Sequence, residues 1–489
     1  MNDRAPCLIG VAQKTFAKDS DAPEPLKQWE MIAYEAAKDA GNENIISQLK
    51  EVNVIFPMSW TYEAAEKQLA ESLGLPHCRA YISGLSGTSP QKMLNEAAEK
   101  ILEGEIDCSL IVGGEAFATR KRAKKEGRKL GWLKVDNKPQ MPFDDPFIPT
   151  EMVHQVYQAY LTFAVLDSAR RQQHNLTHAE NRQQQAQMMS ALSKIAAGNP
   201  NSWFPQAYSA KELFSTAADN RTVAYPFTKH SMAFMDVDMC AGLIITSHEK
   251  ADELDVPQAQ RVYLNGWGYA KSPPYIAQRK ELWHSPEMKA ASKHALDMAG
   301  TDINNVQHLD LYSCFSSALS FVKDALGIAD DDPRPLTITG GLPYFGGPGS
   351  SYCTHSIAAM VERLRRNPGD NGLITGVGMH MTNHVFAVYS TEPTDFDRDI
   401  YQQSSDVTAR SDTLTIQDEA DGPATIAGYT VIHERENTWG LAICDLPNGN
   451  RCYAHINDTD ILASLETEEW VGREITLATD NKINSVVSA

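Results

Sequence analysis

The residues best placed to do chemistry lie in DLYSCFSSALSF, Asp310 to Phe321. The segment reads as a strand, His308 to Tyr312, that stops abruptly and turns into a helix, with Ser, Cys and Phe at the joint. In open α/β sheets, ligands sit just outside the carboxyl ends of strands, where helix N-termini point amide donors into the crevice. A thiol at such a joint, Cys314, stands where a helix dipole favours its thiolate, and a thiolate there could take an acyl group. The competing reading is a small core residue, since free Cys is among the most buried types.

The elements that would position this joint come twice. In the first half, strands are expected at Cys7–Ala12, Val52–Met58, Arg79–Ile82 and Cys108–Gly113, the first and last of them apolar runs, with helices at Leu26–Ala40 and Ala64–Leu73. A Gly/Ser-rich turn, Ser83–Ser89, then opens a helix with Pro90 in its first turn. The second half repeats the order. Val262–Tyr269 is a strand and Glu287–Ala299 a helix; the Cys314 joint and a helix ending at Leu326 follow. A Gly-rich turn, Gly340–Gly349, then feeds a further helix, and Gly372–Gly378 is the closing strand. Such internal similarity decides the architecture. The expectation is α/β: two similar βαβ halves with mixed sheets covered by helices, their glycine turns meeting near the centre.

Between the halves, 118–223 reads as a mostly helical insertion, with helices at Thr150–Arg171 and His178–Ala197. It opens on the one basic island of the chain, RKRAKKEGRKLGW from Arg120, which is either a solvated loop or a patch for the phosphates of a soluble anion. The domains expected are 1–257 for the first half with its insertion, 258–393 for the second, a linker over 394–423, and a small all-β barrel over 424–489. That last domain carries five short strands, a hairpin turn at Pro447–Asn450 and a helix between strands three and four. This is the pattern of an oligonucleotide/oligosaccharide-binding (OB)-type barrel.

Composition narrows the partners. A net charge of -19 over 489 residues argues against nucleic acid, because phosphate binding wants a basic footprint. The eight cysteines are scattered with no C-x-x-C pair, which is neither a zinc pattern nor a secreted disulfide framework, so no metal is expected. No apolar run approaches a membrane span and the start shows no leader pattern, so a cytoplasmic protein is expected.

Taken together, the paired halves, the glycine turns, the helical insertion and GLITGVGMHMTNHVFAVYS resemble the thiolase superfamily. More narrowly they resemble the thiolase-like proteins of type 1, with an extra C-terminal domain, often labelled acetyl-CoA acetyltransferases. GNPNSW from Gly198, YPFTKHSMAFMDVD from Tyr225, DLYSCFSSA and GGLPYFGGPG carry the resemblance, which spans nearly the whole chain. It implies a coenzyme A thioester as substrate or ligand, no bound cofactor, and a place in lipid metabolism. It also implies pairing of two copies through the central sheets, or of the C-terminal domain with a partner protein.

Thiolases use a nucleophilic cysteine, a second cysteine for the proton at the α-carbon, and histidine or asparagine groups on the thioester oxygens. By resemblance, the nucleophile's slot falls on Ser86. The Asn-Glu-Ala-Phe motif falls on Tyr312-Ser313-Cys314-Phe315, and Gly-His-Pro on Gly346-Gly347-Pro348, where the nearest replacement imidazole is His355. The second cysteine's slot falls on Gly376, just before His380 and His384. All four catalytic slots have changed. Gly346, Gly347, Gly349, Gly376 and Gly378 imply close backbone approach and a pocket for a flat or extended ligand.

Two functions and one structural role follow. One is an acyl-CoA acyltransferase with a rearranged site: Cys314 accepts the acyl group, His380 or His355 is the base, and Tyr312 with the central-turn amides holds the oxyanion. The other is a degenerate relative that binds CoA thioesters or a partner protein without Claisen chemistry, with Arg120 and Lys121 on the phosphates. As a structural subunit of an acyl-processing complex, the chain would co-purify with another thiolase-type chain.

Overall fold

The computed structural model describes residues 3–135, 141–394 and 412–488. Most of the expected linker, 395–411, lies outside the described residues. Among the described residues eleven strands precede it: β1 (Pro6–Thr15), β2 (Glu51–Val54), β3 (Arg79–Ile82), β4 (Cys108–Ala116), β5 (Thr222–Ala224), β6 (Phe227–Thr228), β7 (Asp238–Ser247), β8 (Val262–Lys271), β9 (His308–Asp310), β10 (Asn371–Gly378) and β11 (Asn383–Ser390). Five follow it: β12 (Gly422–His433), β13 (Thr438–Asp445), β14 (Arg451–Ile456), β15 (Glu474–Asp480) and β16 (Ile483–Ser488).

The two halves are present, and their sheets join edge to edge in the order β3-β2-β4-β7-β1-β8-β11-β10-β9. The seam is short, with only Cys7↔Tyr263 and Leu8↔Val262 in register between β1 and β8. Each half keeps parallel strands toward its outer edge, β3, β2 and β4 in the first and β9 and β10 in the second, with antiparallel β7, β1, β8 and β11 between.

Alternation along the strands explains the layers. Leu8, Ile245 and Leu264 turn one way, onto the helices Ser89–Leu102 and Tyr352–Arg366, which form a shared central layer. Cys7, Ile9 and Ile244 turn the other way, onto the helix Pro25–Asp39. The outer face of the second half, with Leu373, Phe386 and Val388, packs on the helices Pro286–Met298 and Ser316–Leu326. Two of these strands, β7 and β11, are buried along their whole length. The strand-helix repeat read from the sequence left both out.

The C-terminal strands close a five-stranded barrel, β12-β13-β14-β16-β15 and back to β12, with β14 and β16 parallel and the helix Thr459–Leu465 between β14 and β15. The barrel is docked on the core. Trp439, Leu441, Ile443 and Tyr453 share one apolar cluster with Val156, Ile276 and Phe321. β5, from the inserted segment, extends the barrel sheet through Ile432↔Ala224. The insertion helix Ala159–Gln173 crosses β12 at Gly428, where any side chain would meet Val165 within 3.0 Å. The helix expected over Thr150–Arg171 is two, Pro149–Val153 and Ala159–Gln173, broken where Gln155 takes a φ of 61°.

Candidate active site

Four of the expected residues meet at the turn before the Ser89–Leu102 helix. Gly87 lies under the Tyr312 ring edge: a β-carbon on it would sit 2.3 Å from both the Tyr312 hydroxyl and the Val377 carbonyl oxygen. A β-carbon on Gly378 would sit 2.0 Å from Ser86 Oγ, and one on Gly376 would sit 2.7 Å from Val385 Cγ1, 3.1 Å from Cys353 Sγ and 3.2 Å from the Gly87 oxygen. So Ser86, Tyr312, Gly376 and Gly378 converge, but their glycines accommodate neighbouring protein atoms. The expectation that these two glycines leave room for a ligand is corrected by that packing.

Cys353, which the sequence reading passed over, fills the middle. Its thiol donates to the Gly87 carbonyl at 3.1 Å and lies 3.6 Å from the Thr375 carbonyl. It is fully buried, and burial pushes it well above the ordinary thiol range. Ser86 Oγ pairs with Thr88 Oγ1 at 2.7 Å and accepts from the Thr88 amide at 3.2 Å. No imidazole bonds it among the described residues. The Tyr312 amide donates to Thr375 Oγ1 at 2.8 Å, and its ring meets Tyr352 edge-on at 5.6 Å.

Cys314 follows β9 and precedes the helix that begins at Ser316, as the sequence pattern placed it. It is half-buried, and its carbonyl accepts from the Ala233 amide at 2.9 Å. Burial raises its thiol above the ordinary range. The nearby amides of Phe315 and of Cys314 itself pull the other way and lose. No carboxylate or imidazole hydrogen-bonds its sulfur among the described residues, so the helix start does not deliver the expected thiolate.

The histidines are tied elsewhere. His355 is fully buried; its Nδ1 pairs with Gln13 Oε1 on β1 at 3.2 Å, its ring lies 5.4 Å from Phe345, and burial drives it down to about 3. His380 pairs through Nδ1 with Thr162 Oγ1 at 3.0 Å and stacks edge-on against Phe147. Burial, with the Arg279 charge behind it, lowers it to about 4. His380 is held in a tight β10–β11 loop by Met379 and Met381, both left-handed at φ 52° and 57°. The loop's carbonyls at His380 and Met381 accept from the buried Arg279 guanidinium at 3.0 and 2.7 Å. His384 Nε2 lies 3.0 Å from Ser272 Oγ, whose hydroxyl donates to Glu287 at 2.9 Å, and burial lowers it to about 3. Imidazoles this reluctant to take a proton are poor general bases at neutral pH.

At the second glycine turn, Gly346 backs onto Met239 Sδ and Gly347 faces the Phe234 carbonyl. Gly349 (φ 53°) leaves room for a fully buried carboxylate, Glu115, which would lie 2.5 Å from any β-carbon there. Glu115 accepts from the Met58 and Ser59 amides at 2.8 Å each, and burial nevertheless raises it to about 7. Its signal in the sequence was a lone carboxylate closing an otherwise apolar strand, after Gly113-Gly114.

The basic island is laced to acids. Lys121 pairs with Asp236; Arg122 and Arg128 pair with Asp21 at 3.0 and 2.8 Å. Arg120 donates to the Ser59 carbonyl at 3.1 Å. Pairing with Asp236 reduces the free charge expected of Lys121 for phosphates, whereas Arg120, bonded to a backbone carbonyl, keeps its charge. Among the described residues no cluster of three or more His, Cys, Asp or Glu is placed to hold a metal, and no helix is long and apolar enough to cross a membrane.

The fold is thiolase-like. Over the full length of both chains, the protein superposes on a monomeric SCP2-thiolase-like protein type 1 from Mycobacterium smegmatis, with 29% identity and a TM-score of 0.86. Over 79% of this chain and 98% of the other, it matches an Ltp2–ChsH2(DUF35) aldolase at 16% identity and a TM-score of 0.60. The dimeric peroxisomal thiolase of Saccharomyces cerevisiae matches 80% of this chain, with 98% of its own chain covered, at 12% identity and a TM-score of 0.56. No protein-family profile and no curated protein matches the sequence.

Proposed function

We propose that this chain is a thiolase-like binding protein for a CoA thioester, whose central site has lost Claisen chemistry. The observation that carries the reading is the Cys353–Gly87 contact, which puts a buried, protonated thiol where the central turn would need open space. A nucleophile there needs an activating base, and Ser86 has none bonded to it among the described residues. The 29%-identical relative, described as thiolase-like and monomeric, supports both the superfamily and a single-chain form.

The barrel fits the same picture. Its strand order, first-second-third-fifth-fourth, with parallel third and fifth strands, supports the OB-like reading. Its second and third strands, β13 and β14, are buried against the core, so the face such barrels offer to ligands is used for docking. The barrel then serves as a packing module within the chain.

The acyltransferase reading keeps one observation in its favour: Cys314 is only half-buried and lies two residues ahead of a helix. Calorimetric titration with CoA and acetyl-CoA, with intact-mass measurement after incubation, separates the two. Binding without a covalent adduct supports the proposal. An acyl adduct that disappears in Cys314→Ser replaces it with the acyltransferase, and no binding at low salt removes the thioester ligand.

A further inference from the structure

The docked barrel carries two cysteines face to face. Cys444 on β13 and Cys452 on β14 are direct partners in the antiparallel ladder, one step from the Asp445↔Arg451 pair that leads into the hairpin turn. Opposed residues of such a ladder project to the same face of the sheet, with α-carbons about 4.5–5.5 Å apart. A disulfide spans about 4.4–6.8 Å between α-carbons, so the backbone here admits one as it stands.

Both side chains point into the barrel. Their ladder neighbours Ile443 and Tyr453 belong to the apolar cluster of the core, whereas Cys444 and Cys452 share the barrel's own cluster with Ile426, Trp470 and Leu477. Both are free thiols and fully buried. The Cys444 thiol is pushed well above its ordinary range, first by the hydrogen bond it shares with Cys452 and then by burial. No other ladder sets up such a pair among the described residues: Cys7 and Cys108 oppose Thr246 from its two sides, and Cys240 opposes Lys14 and Gly114. The way in is the hairpin end. Pro447, Asn448 and Gly449 are exposed, and Asp445, Leu446 and Asn450 partly so, which leaves each thiol within two residues of water. Local opening of such an end frees the thiols while the rest of the barrel stays folded.

We propose that Cys444 and Cys452 form a reversible disulfide, which makes the β13–β14 hairpin a modification site for hydroperoxides. With hydrogen peroxide, one thiol gives up its proton and its sulfur attacks a peroxide oxygen. The O–O bond breaks, and the departing hydroxide takes the proton and leaves as water, with a sulfenic acid on the sulfur. The second thiol then attacks that sulfur; its proton goes to the departing hydroxide, and a second water leaves as the S–S bond forms. Two thiols are oxidised and one peroxide is reduced. The bond ties together, from inside the barrel, the two strands whose other face carries Leu441, Ile443 and Tyr453 onto the core.

The test treats reduced full-length protein with hydrogen peroxide, unfolds it in N-ethylmaleimide, and maps tryptic peptides without reductant. Cleavage after Arg451 separates the two cysteines, so their disulfide appears as two joined peptides that dithiothreitol splits. The Cys444–Cys452 link should account for nearly all of the disulfide found. In Cys452→Ala, Cys444 should form no disulfide with any other cysteine. Recovery of both residues as maleimide adducts, at a dose that oxidises the half-buried Cys78 and Cys314, overturns the proposal. Links from either residue to other cysteines overturn it as well. If Cys452→Ala fails to fold, the wild-type map alone decides.

Discussion

The Cys353 sulfur donates its hydrogen bond to the Gly87 carbonyl, 266 residues away in the chain, at 3.1 Å. This contact ties the central helix of the second half to the turn that opens the central helix of the first. Gly376 faces the same contact without a side chain, with Cys353 and the Gly87 oxygen both close to where its β-carbon would be. A thiolase-like centre is thereby packed as a core.

That packing is testable at Gly378, whose missing β-carbon would collide with Ser86 Oγ at 2.0 Å. Gly378→Ala should cost about 1–3 kcal/mol, the usual range for overpacking. Adding Ser86→Gly should recover part of it, so the double variant is less destabilised than the sum by about 1 kcal/mol or more. Denaturant melts of the four proteins measure the cycle. Strict additivity would mean that the two residues do not share the space.

Thiol reactivity gives a second check. Of the eight cysteines only Cys78 and Cys314 are not fully buried, and burial pushes Cys78 to about 11 and Cys314 higher still. Alkylation at pH 7.5 followed by peptide mass mapping should modify these two first, and more slowly than free cysteine, because only the thiolate attacks. Faster labelling of Cys314 than of free cysteine would show an activated thiol.

The barrel is clamped through Arg171, whose side chain is 1% exposed and which donates to the Tyr429 hydroxyl at 2.8 Å and to Glu469 at 3.1 Å. Arg171→Ala removes a buried cation together with its bonds to both partners and leaves the Tyr429 hydroxyl only its bond to the Glu468 carbonyl, so it should cost about 2–3 kcal/mol. Glu469 is 35% exposed, and water can answer for it, so Glu469→Gln should cost less than about 1 kcal/mol. Chemical denaturation followed at Trp439 and Trp470 would report the difference. Equal costs would contradict the clamp.

Stability should bend with pH in two directions. His355 and His384 stay neutral in the fold down to about 3, whereas the unfolded chain takes up protons near 6.5. The unfolded state therefore binds more protons between these values, and stability falls as pH falls through that window, by up to about 1.4 kcal/mol per unit for each histidine. Glu151 has the opposite sign: burial raises it from 4.5 to about 7, so the fold holds a proton that the unfolded chain releases, and stability falls as pH rises from 4.5 to 7. His355→Leu should lose about 2 kcal/mol less than wild type between pH 6.5 and 4.5. Glu151→Gln should gain stability relative to wild type at pH 8 and not at pH 5. Thermal melts across pH test both signs.

Much of this architecture was legible because local patterns agree with the final packing. Arg79–Ile82 is a strand at the bounds expected for it, and the barrel's hairpin turn lies where Pro447–Asn450 put it, between β13 and β14. β7 was not legible from the strand-helix repeat, because it pairs antiparallel between β1 and β4, both distant in sequence; β11 doubles back on β10 as a hairpin and pairs on its other side with the distant β8, an addition the repeat does not contain. The break at Gln155 carries no glycine or proline to announce it. At the site, the convergence of Ser86, Tyr312 and Gly376 follows from their places at strand ends and turns. The filling of that space does not. Sequence puts His355 early in a helix, but only packing decides that its ring faces Gln13 on β1 and not the turn. Nothing local marks Cys353, and Glu115 is marked only as a lone carboxylate closing an apolar strand; the partners of both come from remote turns.

Intact-mass spectrometry after incubation with acetyl-CoA tests the central claim most directly. A packed centre predicts unmodified protein in wild type and in Cys314→Ser alike. A single acetyl unit carried by wild type and absent from Cys314→Ser would contradict it.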